Sequence, residues 1–374
     1  MLKHIHKVVH LTSVHPRFDT RIFLKMCRSL SGENYDVSLI VADNLGNEIS
    51  EGVNIYDVGA SKNRLTRILN APKRILQKAL ELDGDLYHLH DPELIPIGLK
   101  LKRQGKKVIF DSHEDVPKQL IGRHYLNPFL RRILSMAFAR YERYACSKLD
   151  GVLTSTRFIK DKFITINLRT IDINNFPILG ELAAGSSDNS KRDSICYLGG
   201  MGALRGTKQL VEAMEHVHAD TRLELVGAFS EKAFGEEVRG TFGWKKVCEH
   251  GFLDRNEVRM VLARAIAGVV NFLEAPNHID SQPNKLFEYM SAGVPVISSN
   301  FPLWKEVVEG NDCGVCVDPS KPLDIADAIN SLVQNPQRAR EMGLNGKKAV
   351  EEYYNWDEEK KKLFAFYGSL LGSR

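Results

Sequence analysis

The chain has 374 residues, 43% of them hydrophobic and 26% charged, with a formal net charge of +4. That length leaves room for about two domains, and the composition excludes a disordered chain and a collagen-like repeat. Six cysteines are too sparse for a disulfide scaffold. Residues 1–176 carry 28 Lys+Arg against 19 Asp+Glu, a balance of +9, whereas the remainder carries 23 against 28, or −5. A basic first half suits anionic lipid, nucleic acid or a phosphorylated substrate, and charge alone does not choose among them. The opening MLKHIHKVVHLTSVHPRF has positive charge but neither the apolar core nor the small-residue cleavage site of a signal peptide. No run reaches the roughly 18 uncharged apolar residues of a spanning helix. The expected location is the cytoplasm.

Short apolar runs alternate with longer amphipathic stretches. Lys7–Leu11 reads as a strand, Arg21–Ser31 as a helix and Val37–Ala42 as a strand. Leu86–His90 and Lys107–Asp111 are further strands, and the helix Arg131–Lys148 precedes the strand Gly151–Thr154. Buried parallel strands with helical crossovers give this pattern. It stops over Ile178–Arg192, a small and polar stretch that reads as a linker or long surface loop. It then restarts with strands Ser194–Leu198, Arg222–Val226, Gly268–Asn271 and Pro295–Ser298. Helices Thr207–Glu215, Glu257–Arg264 and Asn284–Ala292 are expected between them. The reading is two α/β units, each with a parallel sheet whose carboxyl-end loops bind ligands.

The densest chemistry lies in Asp280–Ser299, DSQPNKLFEYMSAGVPVISS. Pro283 stands before a helix start, with Asn284, Lys285 and Leu286 in its first turn. Free N–H groups and the positive helix end favour a diphosphate there. Lys285 can neutralise its charge, and Glu288, one turn on, can accept hydrogen bonds from a ribose diol. Asp280 can contact hydroxyls of the group attached to the phosphate. An ordinary capped helix with solvated Asp and Lys is the plainer alternative. A second segment, Tyr197-Leu198-Gly199-Gly200-Met201-Gly202-Ala203-Leu204-Arg205-Gly206, runs from a strand into a glycine-rich turn. Backbone amides at Gly199 and Gly200 can approach phosphate while Arg205 clamps its oxygens. A structural turn with an exposed Arg is again the alternative.

DSQPNKLFEYMSAGVPVISSN resembles the donor-site signature of retaining glycosyltransferase family 4, and the resemblance extends over nearly the whole chain. The family's acidic pair, separated by seven positions, falls on Asp280 and Glu288, with Asp where Glu is common. The family often has an Arg directly after the first glycine of the turn and a Lys before the last. Those positions are Gly200 and Arg205 here, so Arg205 and Lys285 form the usable positive pair. The resemblance implies a GT-B fold, two Rossmann-like domains facing each other across a central cleft. Expected bounds are 1–177 for the acceptor side, 178–355 for nucleotide-sugar binding, and 356–374 for a C-terminal helix crossing back. It further implies retaining transfer from a nucleotide sugar, UDP-linked by preference, to a glycan or lipid-linked saccharide in surface polysaccharide synthesis. No cofactor and no obligatory metal are implied. A nucleotide-sugar epimerase and a noncatalytic nucleotide-sugar-binding module are the alternatives.

The first half supplies the acceptor side. HPRFDTRIF, which resembles a recurrent subgroup pattern, places His15, Asp19 and Arg21 after the first strand. Asp19 and Arg21 could instead form a loop-fixing ion pair. Tyr87–Asp91 marks another strand end, where alternation is expected to bury one of His88 and His90, while His90 and Asp91 border the cleft. In VIFDSHED, His113 follows the strand ending at Asp111, and Glu114 and Asp115 are close enough to orient it. By resemblance, His113 is a donor-contacting residue important for catalysis and Glu114 an acceptor-side group. Cys313 and Cys316 have redox or zinc half-site spacing without a second pair, and no metal centre is assigned. Ser61–Leu80 and Arg123–Leu134 mix cations with apolar residues, which suits reversible contact with the inner face of an anionic membrane. No readout motif supports nucleic-acid binding.

Overall fold

The computed structural model describes residues 5–122, 127–182, 192–218 and 220–372. The chain divides into two compact units: Met1–Asn175 together with Asp357–Arg374, and Phe176–Trp356. The expected features at Arg123 and Tyr125, and most of the Ile178–Arg192 linker, lie outside the described residues.

The first unit is built on strands β1 (Lys7–Leu11), β2 (Asp36–Val41), β3 (Glu48–Ser50), β4 (Val53–Asp57), β5 (Leu86–Leu89), β6 (Lys107–Ser112), β7 (Gly151–Thr154) and β8 (Thr170–Asp172). They lie in the order β3-β4-β2-β1-β5-β6-β7-β8, and only the β3–β4 pairing is antiparallel. The apolar runs of β1, β2, β5 and β6 occupy the middle because both faces of a parallel sheet are covered. β3, β4 and β8 went unread in the sequence because they are short and partly polar. Ile22–Cys27 opens the first helix as a π-turn, with Leu24 N donating to Asp19 O and Met26 N to Arg21 O, before Arg28–Gly32 continues as α-helix.

Register decides which side chains meet behind the first unit's loops. His10 on β1 pairs with His88 on β5. Side chains alternate with period two, so residues two apart share a face. His88 and His90 therefore point the same way, and both are buried, which corrects the expectation that one would be exposed. Val9, Leu11, Tyr87 and Leu89 supply the opposite, apolar face. The helix Trp356–Leu371 closes over the histidines, inserting the fully buried Tyr367.

The second unit carries β9 (Ser194–Leu198), β10 (Arg222–Val226), β11 (Val247–Gly251), β12 (Ala265–Val270), β13 (Val296–Ser299) and β14 (Gly314–Val317). All pairings are parallel, in the order β11-β10-β9-β12-β13-β14. Its two core layers centre on Trp304 and Tyr289 on one side and on Tyr197 and Leu225 on the other. Cys316 belongs to β14 itself, with its thiol 3.2 Å from Ser298 Oγ.

Candidate functional site

In the first unit the loops after β1, β5 and β6 bring the expected residues together. Asp111, fully buried on β6, is the hub. Arg21 grips both its oxygens at 2.8 Å and donates a third bond to Ile173 O at 2.6 Å. Arg21 thus pairs with Asp111 rather than Asp19, whose carboxylate instead accepts the backbone N–H groups of Arg21 and Ile22 at 2.8 and 2.9 Å. Burial tends to raise the Asp19 carboxyl, but the bond from His15 and these N–H groups hold it well below the usual range. Burial also opposes ionisation of Asp111, and Arg21 and His113 overcome it, keeping that carboxyl low.

His113 follows at the strand end, with Nε2 3.0 Å from Asp111 Oδ2 and its carbonyl accepting from Ser155 Oγ at 2.6 Å. Asp111, not Glu114 or Asp115, is therefore what orients it. Asp115 caps the helix Val116–Ile121 and pairs with Lys162 at 3.0 Å, while Glu114 is exposed beside His113. The His15 ring lies 4.9 Å from that of His113, with Nδ1 3.3 Å from Asp19 and Nε2 3.5 Å from Asp91. Burial would lower the His15 pKa, but the bond to Asp19 and the charge of Asp91 raise it. Asp91 is buried and accepts from Thr12 Oγ1 at 2.9 Å and Ser13 N at 2.6 Å. His15, His113 and Glu114 thus reach the surface, whereas Arg21, His90 and Asp91 lie beneath it.

Among the described residues of this unit, two groups could offer metal ligands: His10, His88 and His90, and His90, Asp111 and His113. His10 Nδ1 and His90 Nε2 are 2.8 Å apart. Two nitrogens bound at about 2.0–2.1 Å to a tetrahedral ion would stand farther apart, so a shared proton fits the distance better.

In the second unit, β9 ends at Gly199 and Gly200, both exposed, and Gly199 adopts φ +106°, a conformation open to glycine. Gly206 has φ +64°, and a Cβ there would sit 2.0 Å from Asn271 O. Between them the turn Ala203–Arg205 carries the exposed Arg205, whose guanidinium lies 4.9 Å from the Phe272 ring centre. The helix Asn284–Ser291 opens without a side-chain cap, and Leu286 N is already bonded to Pro283 O. Leu286 is buried, so its side chain offers nothing to a ligand, while Asn284 is exposed.

Lys285 is the outlier. Its Nζ is buried without a hydrogen-bond partner, 3.5 Å from the centre of the Tyr197 ring and 5.4 Å from that of Phe272. A Cβ placed on Gly199 would stand 3.9 Å from this Nζ, so the ammonium lies directly beneath the glycine turn. Burial, and then the charge of Arg205, push its pKa well below the usual lysine value. A buried cation with no counterion is costly, and an anion removes that cost.

Glu288 is held by Arg255 Nη1 at 2.8 Å, and Arg255 Nε reaches Glu181 at 3.1 Å. The sequence reading missed Arg255, since nothing local links the start of one helix to the middle of another. Asp280 sits in a turn fixed by its neighbour: Ser281 O accepts from Trp304 Nε1 at 2.7 Å, and Ser281 N donates to His278 O at 3.0 Å. Burial raises the thiols of Cys313 and Cys316 to about 12 and about 11, which leaves neither as a reactive thiolate near neutrality.

Comparison with known proteins places both halves. Residues 20–173 match the family described as Glycosyltransferase Family 4, and residues 181–349 match Glycosyl transferases group 1. An uncharacterized glycosyltransferase of Methanocaldococcus jannaschii is 21% identical over 277 residues, covering 71% of this chain and 69% of that protein. Among solved structures, sucrose-phosphate synthase from Thermosynechococcus elongatus superposes with a TM-score of 0.76 at 17% identity, over 98% of this chain and 99% of that one. Anabaena HepE in complex with UDP-glucose gives 0.76 at 14% identity, over 97% of this chain and 100% of that one. The architecture of two α/β domains with separate sheets is that of the GT-B fold.

Proposed function

We propose a specific reaction for this chain, which belongs to the glycosyltransferases in both of its halves and uses a nucleotide sugar. The reaction is retaining transfer of the sugar, from a UDP-linked donor by preference, to a hydroxyl of a glycan or lipid-linked saccharide. The product belongs to surface polysaccharide or glycoconjugate synthesis. The observation that carries the donor side is the buried, unpartnered Nζ of Lys285 under the Gly199–Gly200 turn.

In this reading the diphosphate lies between the turn and the start of the helix Asn284–Ser291. Arg205, Lys285 and the first N–H groups of the helix take up its charge. Glu288 receives the ribose hydroxyls, Asp280 lies nearer the transferred sugar, and His113 positions a sugar or acceptor hydroxyl. As the bond from the anomeric carbon to the phosphate oxygen opens, the two cations stabilise the negative charge on the leaving nucleotide. The incoming hydroxyl oxygen bonds to the anomeric carbon on the same face, and its proton passes to a donor phosphate oxygen. Arg205 and Lys285 supply the positive charge this needs, so no metal is assigned a step.

For the acceptor we propose a molecule at an anionic membrane surface, reached from the cytoplasm. No helix among the described residues is long and apolar enough to cross a membrane. The helix Pro128–Cys146 exposes Phe129, Leu130, Ile133, Leu134 and Met136, and carries Arg131 and Arg132. The helix Arg64–Leu82 exposes Leu65 and Leu69, but Arg67 is tied to Glu93 at 3.1 Å and Arg74 to Gly59 O at 2.7 Å. The first of these helices is therefore the better membrane surface. A donor panel with product mass and anomer determination tests the reaction. A new glycoside of unchanged anomeric configuration supports it; an epimer, free sugar or no turnover with every donor rejects it.

A further inference from the structure

The buried histidines of the first unit form a line of polar contacts whose direction can be worked out from its end. Asp111, ionised and gripped by Arg21, can only accept. His90 Nδ1 lies 3.3 Å from its Oδ2, out of line for a hydrogen bond but close enough that the carboxylate charge favours the proton on that nitrogen. Burial keeps His90 neutral, with a pKa of about 3, so its other nitrogen, Nε2, is a bare acceptor. His10 Nδ1, 2.8 Å from that Nε2, must then be the donor. His10 is likewise buried and neutral, which leaves its Nε2 to accept from the Tyr367 hydroxyl at 3.4 Å. That hydroxyl in turn accepts from His88 Nδ1 at 2.7 Å. The line ends at His88 Nε2, which is buried and has no partner. An unpaired lone pair there costs less than an unpaired N–H, and the direction worked out from Asp111 leaves the lone pair. Every proton in the line therefore points toward Asp111.

His113 makes the remaining bond to the same Oδ2, at 3.0 Å, so its Nε2 is also a donor. A neutral His113 then holds its lone pair at Nδ1, and no described residue bonds that atom. We propose that His90, backed by His10, Tyr367 and His88, is a positioning residue that fixes Asp111 and thereby presents His113 Nδ1 as the acceptor for a substrate hydroxyl. This rests on the reading of His113 as a substrate-contacting residue. The line faces one carboxylate oxygen from behind while Arg21 bonds both from the side. A rotation of Asp111 that released His113 would also carry the carboxylate charge away from the buried His90 Nδ1–H. The substrate class is a hydroxyl donor, a sugar or acceptor O–H, rather than an anion, because the site offers it a lone pair beside a carboxylate.

Two substitutions of nearly equal size separate positioning from packing. In His90→Asn the side-chain amide reaches the place of Nδ1 and can still donate to Asp111. In His90→Gln the polar end reaches the place of Nε2, toward His10, and the contact with Asp111 is lost. The readouts are turnover, nucleotide affinity and the His113 tautomer, followed by nitrogen NMR of the full chain with labelled histidine and assigned by the signal missing in His113→Gln. Wild type and His90→Asn should show His113 protonated at Nε2 and bare at Nδ1, with turnover in His90→Asn within about threefold of wild type. His90→Gln should show mixed tautomers and about tenfold lower turnover, with nucleotide affinity unchanged. Equal turnover in the two variants, a wild-type His113 protonated at Nδ1, or stoichiometric metal on the histidines would each overturn the proposal. His113→Ala with full turnover would instead remove the reading on which it rests, while the tautomer measurement would still decide whether His90 positions His113.

Discussion

The two units solve the problem of buried charge in opposite ways. In the first, Asp111 is surrounded by Arg21, His90 and His113, and each partner is held in turn. In the second, Lys285 is also buried and touches aromatic faces instead of a counterion. In the first the central carboxylate is paired without a ligand, and in the proposed reading the arrangement keeps a surface histidine in one orientation. The second leaves a buried Nζ without a hydrogen-bond partner, and an anion is the partner we propose for it. In the proposed reading, pre-organisation on the acceptor side and an unmet charge on the donor side divide the work of a transferase between two sheets.

The sharpest way to break this comparison is stability. Asp111→Asn leaves Arg21 buried without its counterion and should cost about 3–5 kcal/mol, measured by urea unfolding. Lys285→Met removes an uncompensated cation and should cost nothing or stabilise. Equal losses in both would erase the contrast.

The next effect is the pH dependence of the first unit. Burial lowers the pKa of His10, His88 and His90, the last to about 3. Between that value and the ordinary 6.5 the unfolded chain binds protons that the folded chain does not, so stability should rise with pH across this window. The Asp111 contribution is present above the ordinary carboxyl pKa of 3.8 and is lost as pH falls further. Unfolding midpoints that stay level from pH 5 to 7 would contradict the neutral histidine line.

Smaller effects sharpen the donor and membrane assignments. Glu288→Gln should reduce the preference for ribose over deoxyribose nucleotides by about tenfold, read by direct binding; unchanged discrimination rejects the ribose role. Replacing Arg131 and Arg132 by Gln should weaken flotation with anionic liposomes a few-fold at low salt and spare nucleotide binding. An intact protein that floats with neither anionic nor neutral liposomes, yet is fully active on a lipid-free glycan, removes the membrane surface from the account.

The legible parts of this molecule are those whose physics is local. KVVHL, GVLT, SICYL and RLELV read as strands because apolar runs between turn residues have few other fates, and their bounds coincide with β1, β7, β9 and β10. The glycine turn and the helix at Asn284 were legible for the same reason. What the sequence hid depends on register and distance. Arg21 lies 90 residues from Asp111, Arg255 lies 33 from Glu288, and Tyr367 lies 279 from His88. Each pair forms only once the sheet is assembled. The surface role expected of His90 gave way to a buried one because its ring stacks on His88 and His10 and faces Asp111, neighbours that only strand register brings together.

Calorimetry of a nucleoside diphosphate and its nucleoside, on wild type and Lys285→Met, tests the central claim most directly. The account predicts that wild type binds the diphosphate far more tightly than the nucleoside. In the variant the diphosphate should lose at least tenfold in affinity, while the nucleoside is unaffected and the fold stays intact. Unchanged diphosphate affinity in a folded Lys285→Met protein would contradict the assignment of the second unit as the nucleotide-sugar site built around that buried cation.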